Sequence, residues 1–167
     1  MKKLRFVAAS TVFAVLMAPA LAQKATPHLL SADELKKAVP TEFYFLGQKA
    51  PTQMRNAAGF QSANGKITLA ALVDSSGYSS DVQQKYQGLL ITESKLSIGG
   101  SDLPPGEYGF GFAGDKFVVM NVANEGLLSS AYQTDAELKR PVPLRMAEDG
   151  TGYKLYAGRK WISIKPQ

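Results

Sequence analysis

Four sets of side chains in this 167-residue chain could do chemistry. They are two strand-borne carboxylates, Glu93 and Glu107; one histidine, His28; a row of aromatics running into a hairpin; and a cluster of cations near the C-terminus. Paired carboxylates are the machinery of glycoside hydrolysis, one acting as acid and the other as base or nucleophile. Acidic residues on strands are far more often surface positions, and nothing else marks Glu93 and Glu107 as a pair. Nucleophilic catalysis needs an activated serine, cysteine or threonine with a base in reach. The chain has no cysteine and a single histidine, which stands beside Pro27 in an extended lead-in and reads as a solvated residue. No Gly-x-Ser-x-Gly elbow occurs, and Gly100-Ser101-Asp102 is turn chemistry. The usual spacings of metal ligands are missing. Gly109-x-Gly111 stands within a strand with no helix after it, so it cradles no phosphate. No cofactor, metal or catalytic residue is expected, and a hydrolase is the least supported function.

Two clusters have binding character instead. Tyr108, Phe110, Phe112 and Phe117 share one face of a hairpin. They either fill a core or line a pocket for a small apolar or sugar-like ligand, with Tyr108 and Asn121 as the polar pair that orients it. Further on, Lys139, Arg140, Arg145, Lys154, Arg159, Lys160 and Lys165 face only Glu148 and Asp149, a local net charge of +5. Arg145, Lys154, Arg159 and Lys160 are expected on outward faces of one meander. Solvated strand faces are the plain reading of such charges; the sharper one is a patch that meets an anionic component of the cell envelope.

The elements that must position these residues begin after a targeting segment. Lys2, Lys3 and Arg5 precede an apolar run over residues 6–18, and Ala20-Leu21-Ala22 is a small-x-small cleavage site. The run is too short to span a bilayer. A signal peptide of residues 1–22 is therefore expected, with export of a periplasmic or secreted chain that begins at Gln23. Cleavage leaves 145 of the 167 residues, enough for one domain with a real core. Lacking cysteine, that chain forms no disulfide and carries no lipid-acceptor thiol, so packing must hold it together. Three positive charges leave with the signal, and the formal +5 falls to +2. This modest charge, the export signal and the lack of a basic-aromatic motif argue against nucleic acid. No later run is apolar enough to cross a membrane.

Residues 23–40 read as a lead-in and one short helix, and residues 41–167 as an antiparallel β domain. Ser31-Ala32-Asp33-Glu34 is a capping box, and Pro40 stops the helix it opens. Residues 43–46 form a buried strand and residues 48–56 a loop around Pro51. Asn64-Gly65 predicts a two-residue hairpin. Its register puts Phe60, Ser62, Ile67, Leu69, Ala71 and Val73 on one face, with Gln61, Lys66 and Thr68 on the other, a half-buried pair. Residues 82–87 form at most one helical turn. A strand at 89–92 runs or bends through 96–98, and Gly99-Gly100 turns the chain.

Gly114-Asp115 then predicts the central hairpin, with Ala113 opposite Lys116, Phe112 opposite Phe117, Phe110 opposite Val119 and Tyr108 opposite Asn121. On its second face Gly111 meets Val118 and Gly109 meets Met120. Both faces are apolar, so the pair should be covered on both sides. The glycines mark a bend or a close approach and leave room beside the aliphatic side chains. Residues 127–133 fit strand or loop, and 135–139 a helical turn. The end is a three-stranded meander turning at Asp149-Gly150 and Gly158-Arg159. Leu144, Met146, Tyr153, Leu155, Ile162 and Ile164 share one face of it. Arg145 and Lys154 are cross-strand neighbours on the other, with Tyr156 beside Trp161. About eight strands and one short N-terminal helix make a mainly β fold, an antiparallel barrel or a two-sheet sandwich.

Leu103-Pro104-x-Gly106-x-Tyr108, just after Ile98-Gly99-Gly100, resembles a motif of small secreted bacterial β-domains of unknown function, where a similar run leads into a central hairpin. The run also looks like one found in carboxypeptidase regulatory-like and other sandwich domains. The closing Tyr153-Lys154-Leu155-Tyr156-Ala157-Gly158-Arg159 is similar to the endings of such secreted proteins. The resemblance implies a secreted β-domain and assigns no functional residue. The expected function is thus an exported, non-catalytic β-domain that binds an envelope component or partner. The alternative is a binder of a small apolar or carbohydrate ligand in an aromatic-lined pocket.

Overall fold

The computed structural model of the protein describes residues 25–167. The signal peptide read at residues 1–22 and the new terminus at Gln23 lie outside the described residues. Two antiparallel sheets make up the fold. The first has eight strands: β1 (His28–Leu29), β2 (Glu42–Phe45), β3 (Gln48–Gln61), β4 (Ile67–Val73), β5 (Gly88–Thr92), β8 (Gly106–Ala113), β9 (Lys116–Met120) and β10 (Gly126–Ala131). The second has six: β6 (Leu96–Ile98), β7 (Ser101–Leu103), β11 (Gln133–Thr134), β12 (Arg145–Asp149), β13 (Gly152–Ala157) and β14 (Lys160–Pro166). Neither closes into a barrel, and the arrangement is sandwich-like. Among the described residues the strands exceed the expected eight: β1, β7 and β11 are only two or three residues long, too short to show a period, β6 is separate from β5 instead of continuing it, and β10 falls where the sequence fits strand or loop. Among the described residues there are two helices rather than one, α1 (Ala32–Ala38) and α2 (Ser80–Lys85). Neither is long and apolar enough to cross a membrane.

The core lies in two layers. Phe60, Leu90, Phe110, Phe117 and Val119 of the first sheet meet Leu96, Ile98, Leu155, Ile162 and Ile164 of the second. On the far side of the first sheet, Leu69, Ala71, Leu89 and Met120 lie under Leu35 and Val39, Phe43 and Phe45, and Tyr86. The first sheet is therefore buried on both faces, as its central hairpin required. That hairpin has the expected register from Ala113–Lys116 through Gly109–Met120. The capping box of α1 is also in place: Glu34 N donates to Ser31 Oγ at 3.3 Å, and Ser31 N donates to Glu34 Oε2 at 2.8 Å.

Elsewhere the register departs from expectation. Residues 48–56 are the first half of β3 rather than a loop, because this segment pairs with β2 before it reaches β4. Pro51 is tolerated beside the register shift between Thr52 and Ala57, where a missing N–H costs little. At the Asn64-Gly65 turn the pairing is one residue out: Gln61 opposes Ile67, Phe60 opposes Thr68 and Gly59 opposes Leu69. Ser62 widens the turn, its N–H donating to the Lys66 carbonyl at 2.9 Å and its hydroxyl reaching Asn64 Oδ1 at 2.7 Å. The slip sends Phe60 into the layer between the sheets and Leu69, Ala71 and Val73 to the opposite face. Alternation could not arbitrate, because β4 is buried on both faces, with Thr68 and Leu69 each 1% exposed. Residues 135–139 make a turn without a helix.

Candidate functional site

The aromatic row comes together in the interior. Phe110 and Phe117 have no exposed surface, and Phe112 is buried beside them. The Phe117 ring lies 5.7 Å from Phe110 and, edge-on, 5.0 Å from Phe112. Tyr108 turns its hydroxyl outward to donate to the Pro104 carbonyl at 2.9 Å, and burial pushes its pKa up. Asn121 is not joined to it. The Asn121 Oδ1 accepts the N–H groups of Ala123 and Glu125, both at 2.9 Å, and so closes the β9–β10 turn. The space beside Gly109 and Gly111 is taken by the protein itself: a Cβ on Gly109 would collide with the Tyr86 ring, and one on Gly111 with the Gln84 carbonyl. The close approach that two strand glycines signal is real, and its occupant is the C-terminal end of α2.

Of the titratable candidates, Glu93 and His28 have structural partners. The Glu93 carboxylate accepts the Ile67 N–H at 2.8 Å. Burial raises the pKa of Glu107, which stands opposite Ile91. His28 lies on β1, with Nδ1 3.1 Å from the Thr26 carbonyl and Nε2 3.1 Å from Glu34 Oε1. Among the described residues no three His, Asp or Glu side chains gather to hold a metal.

Of the cations near the C-terminus, Arg145 and Lys154 share the outer face of the second sheet. Lys160, expected on an outward face too, opposes Ala157 with the parity of the core residues Ile162 and Ile164, because β14 alternates from Trp161 outward. Arg145, Tyr156, Trp161 and Gln133 stand in one row across β12, β13, β14 and β11. Lys154 stands in the next row, opposite Ala147 and Ser163. The β12–β13 turn is at Gly150-Thr151 rather than Asp149-Gly150, since Asp149 opposes Gly152. Arg145 and Lys154 therefore share a face without being direct cross-strand neighbours. A shift of two residues keeps both on their expected face.

Each of three cations rests on a ring. The Arg145 guanidinium lies 4.5 Å from the Tyr156 centroid, Lys154 Nζ 4.4 Å from Trp161 and Lys160 Nζ 4.9 Å from Tyr132. Arg159 instead donates to the main-chain carbonyl of Ala136 at 2.7 Å and holds the crossing segment down. Only one of these four cations meets a carboxylate among the described residues: Lys154, 3.2 Å from Asp149. The Nε of Arg145 is buried without a hydrogen-bond partner. Nothing in the sequence alone marked the rings beneath the cations.

Beside this band opens a cleft of about 240 Å³, lined by Gly99, Ser130, Ala131, Gln133, Asp149, Trp161, Ile162 and Ser163. A second, about 290 Å³, lies under Pro27 at the β12–β13 turn. Neither was anticipated, because each joins segments far apart in the chain. Comparison with protein-family models, curated proteins and solved structures finds no match to this chain.

Proposed function

We propose that the protein is an exported, non-catalytic binding domain that holds an anionic polymer of the cell envelope on the outer face of its second sheet. The observation that supports this is the triple stacking of Arg145, Lys154 and Lys160 on Tyr156, Trp161 and Tyr132. A ring beneath a cation orders the long side chain and adds its own attraction, while the charge stays available to a ligand. Neighbouring strands lie about 4.8 Å apart, so a linear polyanion crossing β12 and β13 would meet Arg145 and Lys154 in succession, with Lys160 beyond them at the β13–β14 turn end of the sheet. The reading with an interior ligand against Tyr108, Phe110, Phe112 and Phe117 draws no support from their packing.

Co-sedimentation of the mature protein with purified envelope fragments tests the proposal. The wild type should pellet at low salt and be released at high salt, since exposed charges are screened beyond about 8 Å at physiological ionic strength. The Arg145→Ala/Lys154→Ala/Lys160→Ala variant should stay in the supernatant at both. Equal pelleting of the two proteins, or pelleting indifferent to salt, would leave the band an ordinary solvated surface.

A further inference from the structure

We infer that the cleft beside Trp161 receives one sugar ring, so that the anionic polymer is an acidic polysaccharide; this rests on the binding face proposed above. The cleft lies where β14 changes partner, from β11 at Trp161 to β6 at Ile164. Between those points the ladder is carried by a single bond, from Gly99 N to the Ser163 carbonyl at 3.1 Å. Gly99 allows the chain to turn there, with φ +55° and no space for a Cβ against Ser130.

The lining selects among polyanions. An indole set beside the hydroxyls of Ser130 and Ser163 and the amide of Gln133 matches a pyranose, which has an apolar C–H face and a hydroxyl rim. Asp149, on the same wall and 3.2 Å from Lys154, accepts hydroxyl protons from a sugar rim. The volume falls below the roughly 300–1,000 Å³ of sites that engulf a drug-sized molecule. It suits one ring of a chain that continues outside. Acidic groups on neighbouring sugars would then lie over Lys154, which sits on the Trp161 ring.

The test is calorimetric titration with tetragalacturonate and with a linear polyphosphate of equal charge, at one salt concentration. Tryptophan emission is followed in parallel, since Trp161 is the only tryptophan in the chain. Tetragalacturonate should bind about tenfold or more tighter than polyphosphate and shift the emission. Gln133→Ala should abolish that preference while leaving polyphosphate affinity within about twofold. Trp161→Ala, which also removes the ring under Lys154, should abolish the preference and weaken binding of both polymers. Gln133 is exposed, so its variant carries the test if Trp161→Ala fails to fold. Equal affinity for the two polymers, or a preference that survives Gln133→Ala and any folded Trp161→Ala, overturns the sugar cleft. If both polymers bind alike and both are lost in the triple cation variant, the anionic face stands without it. Binding of neither polymer by the wild type removes both.

Discussion

The two sheets share one core but treat their outer faces in opposite ways. The first sheet is roofed by α1, β2 and α2, and its roof is closed by buried rings: Tyr86 stacks on Phe45 at 4.5 Å, and Phe45 on Phe43 at 5.3 Å. Cations on that side face carboxylates, Lys49 with Glu42 at 2.6 Å and Lys85 with Asp81 at 2.9 Å. Among the described residues the second sheet has no roof over Lys154, Trp161 and Ser163; Lys154 pairs with Asp149 at 3.2 Å, but Arg145 and Lys154 both lie on rings. One face is thus covered by the chain itself, while the other leaves Arg145 without a carboxylate partner among the described residues and its aromatic rings beside cations. In a fold without a disulfide, this difference is the reason to look for stability in the first face and for the proposed binding in the second.

The largest test of that division is Tyr86→Ala. Tyr86 is fully buried, and its hydroxyl donates to the Asn121 carbonyl at 2.8 Å. Removing the ring should cost about 3–5 kcal/mol, as for other buried aromatics, and lower the melting temperature by roughly 10 °C or more. Polymer binding by the folded fraction should not change. A melt within a degree or two of wild type would mean that the roof is a detachable flap.

Gly111→Ala comes next. Its methyl would meet the backbone carbonyl of Gln84, which cannot move without shifting α2, so a loss of about 2–3 kcal/mol is expected. Gly109→Ala meets the Tyr86 ring instead and should cost no less than about 1 kcal/mol. Chemical denaturation of both variants checks the pair. Unchanged midpoints would mean that α2 does not rest on these glycines.

How far the sequence reveals this architecture depends on the side of the molecule. The central hairpin was legible because Gly114-Asp115 sets a register that the Phe/Gly alternation then confirms residue by residue. The final meander was legible because one face is apolar and the other is not, which survived a misplaced turn at Asp149. The β3–β4 hairpin was misread for the opposite reason. With both faces buried, hydrophobic pattern carries no register information, and Asn64-Gly65 gave no warning that Ser62 would widen the loop. The aromatic row could be read as core or pocket from sequence, since only the position of the second sheet distinguishes them. Stacking of cations on rings depends on rotamers, and the cleft on the meeting of β6, β10 and β14. Neither has a local sequence signature.

On the open face the expected stability effect is smaller. Arg145→Ala/Lys154→Ala/Lys160→Ala removes three cation–aromatic contacts worth about 0.5–1 kcal/mol each at exposed sites. It also relieves repulsion among like charges on one sheet face, so the net change should stay near about 1 kcal/mol. Loss of binding with an almost unchanged denaturation midpoint would sharpen the contrast between the faces. A loss of stability as large as that of Tyr86→Ala would make the band a structural feature and remove the reason to assign it a ligand.

The smallest expected effect separates the faces by pH. Glu34 ties the lead-in to α1: its Oε2 accepts from Ser31 N and Ser31 Oγ, and its Oε1 faces His28 Nε2. Hydrogen bonds from Ser31, and then from His28, hold its carboxyl from the ordinary 4.5 down to about 2. The folded value lies below the unfolded one, so this carboxylate stabilises the fold above about pH 4.5, and its contribution is lost as pH falls through about 2. His28 acts in the opposite sense. Its bonds to the Thr26 carbonyl, and then to Glu34, raise its pKa above 6.5, so its contribution is complete below that value and lost as pH rises through the raised one. Both groups are open to solvent, which keeps the effect local and small. Amide exchange in α1 and β1, corrected for intrinsic rates, should therefore quicken toward both extremes, while β12, β13 and β14 stay flat. Glu34→Gln should remove the acid limb, because no carboxylate remains to titrate there. Acceleration of equal size in β12–β14 would show global unfolding rather than release of a clasp, and the pH response would then say nothing about the roofed face in particular.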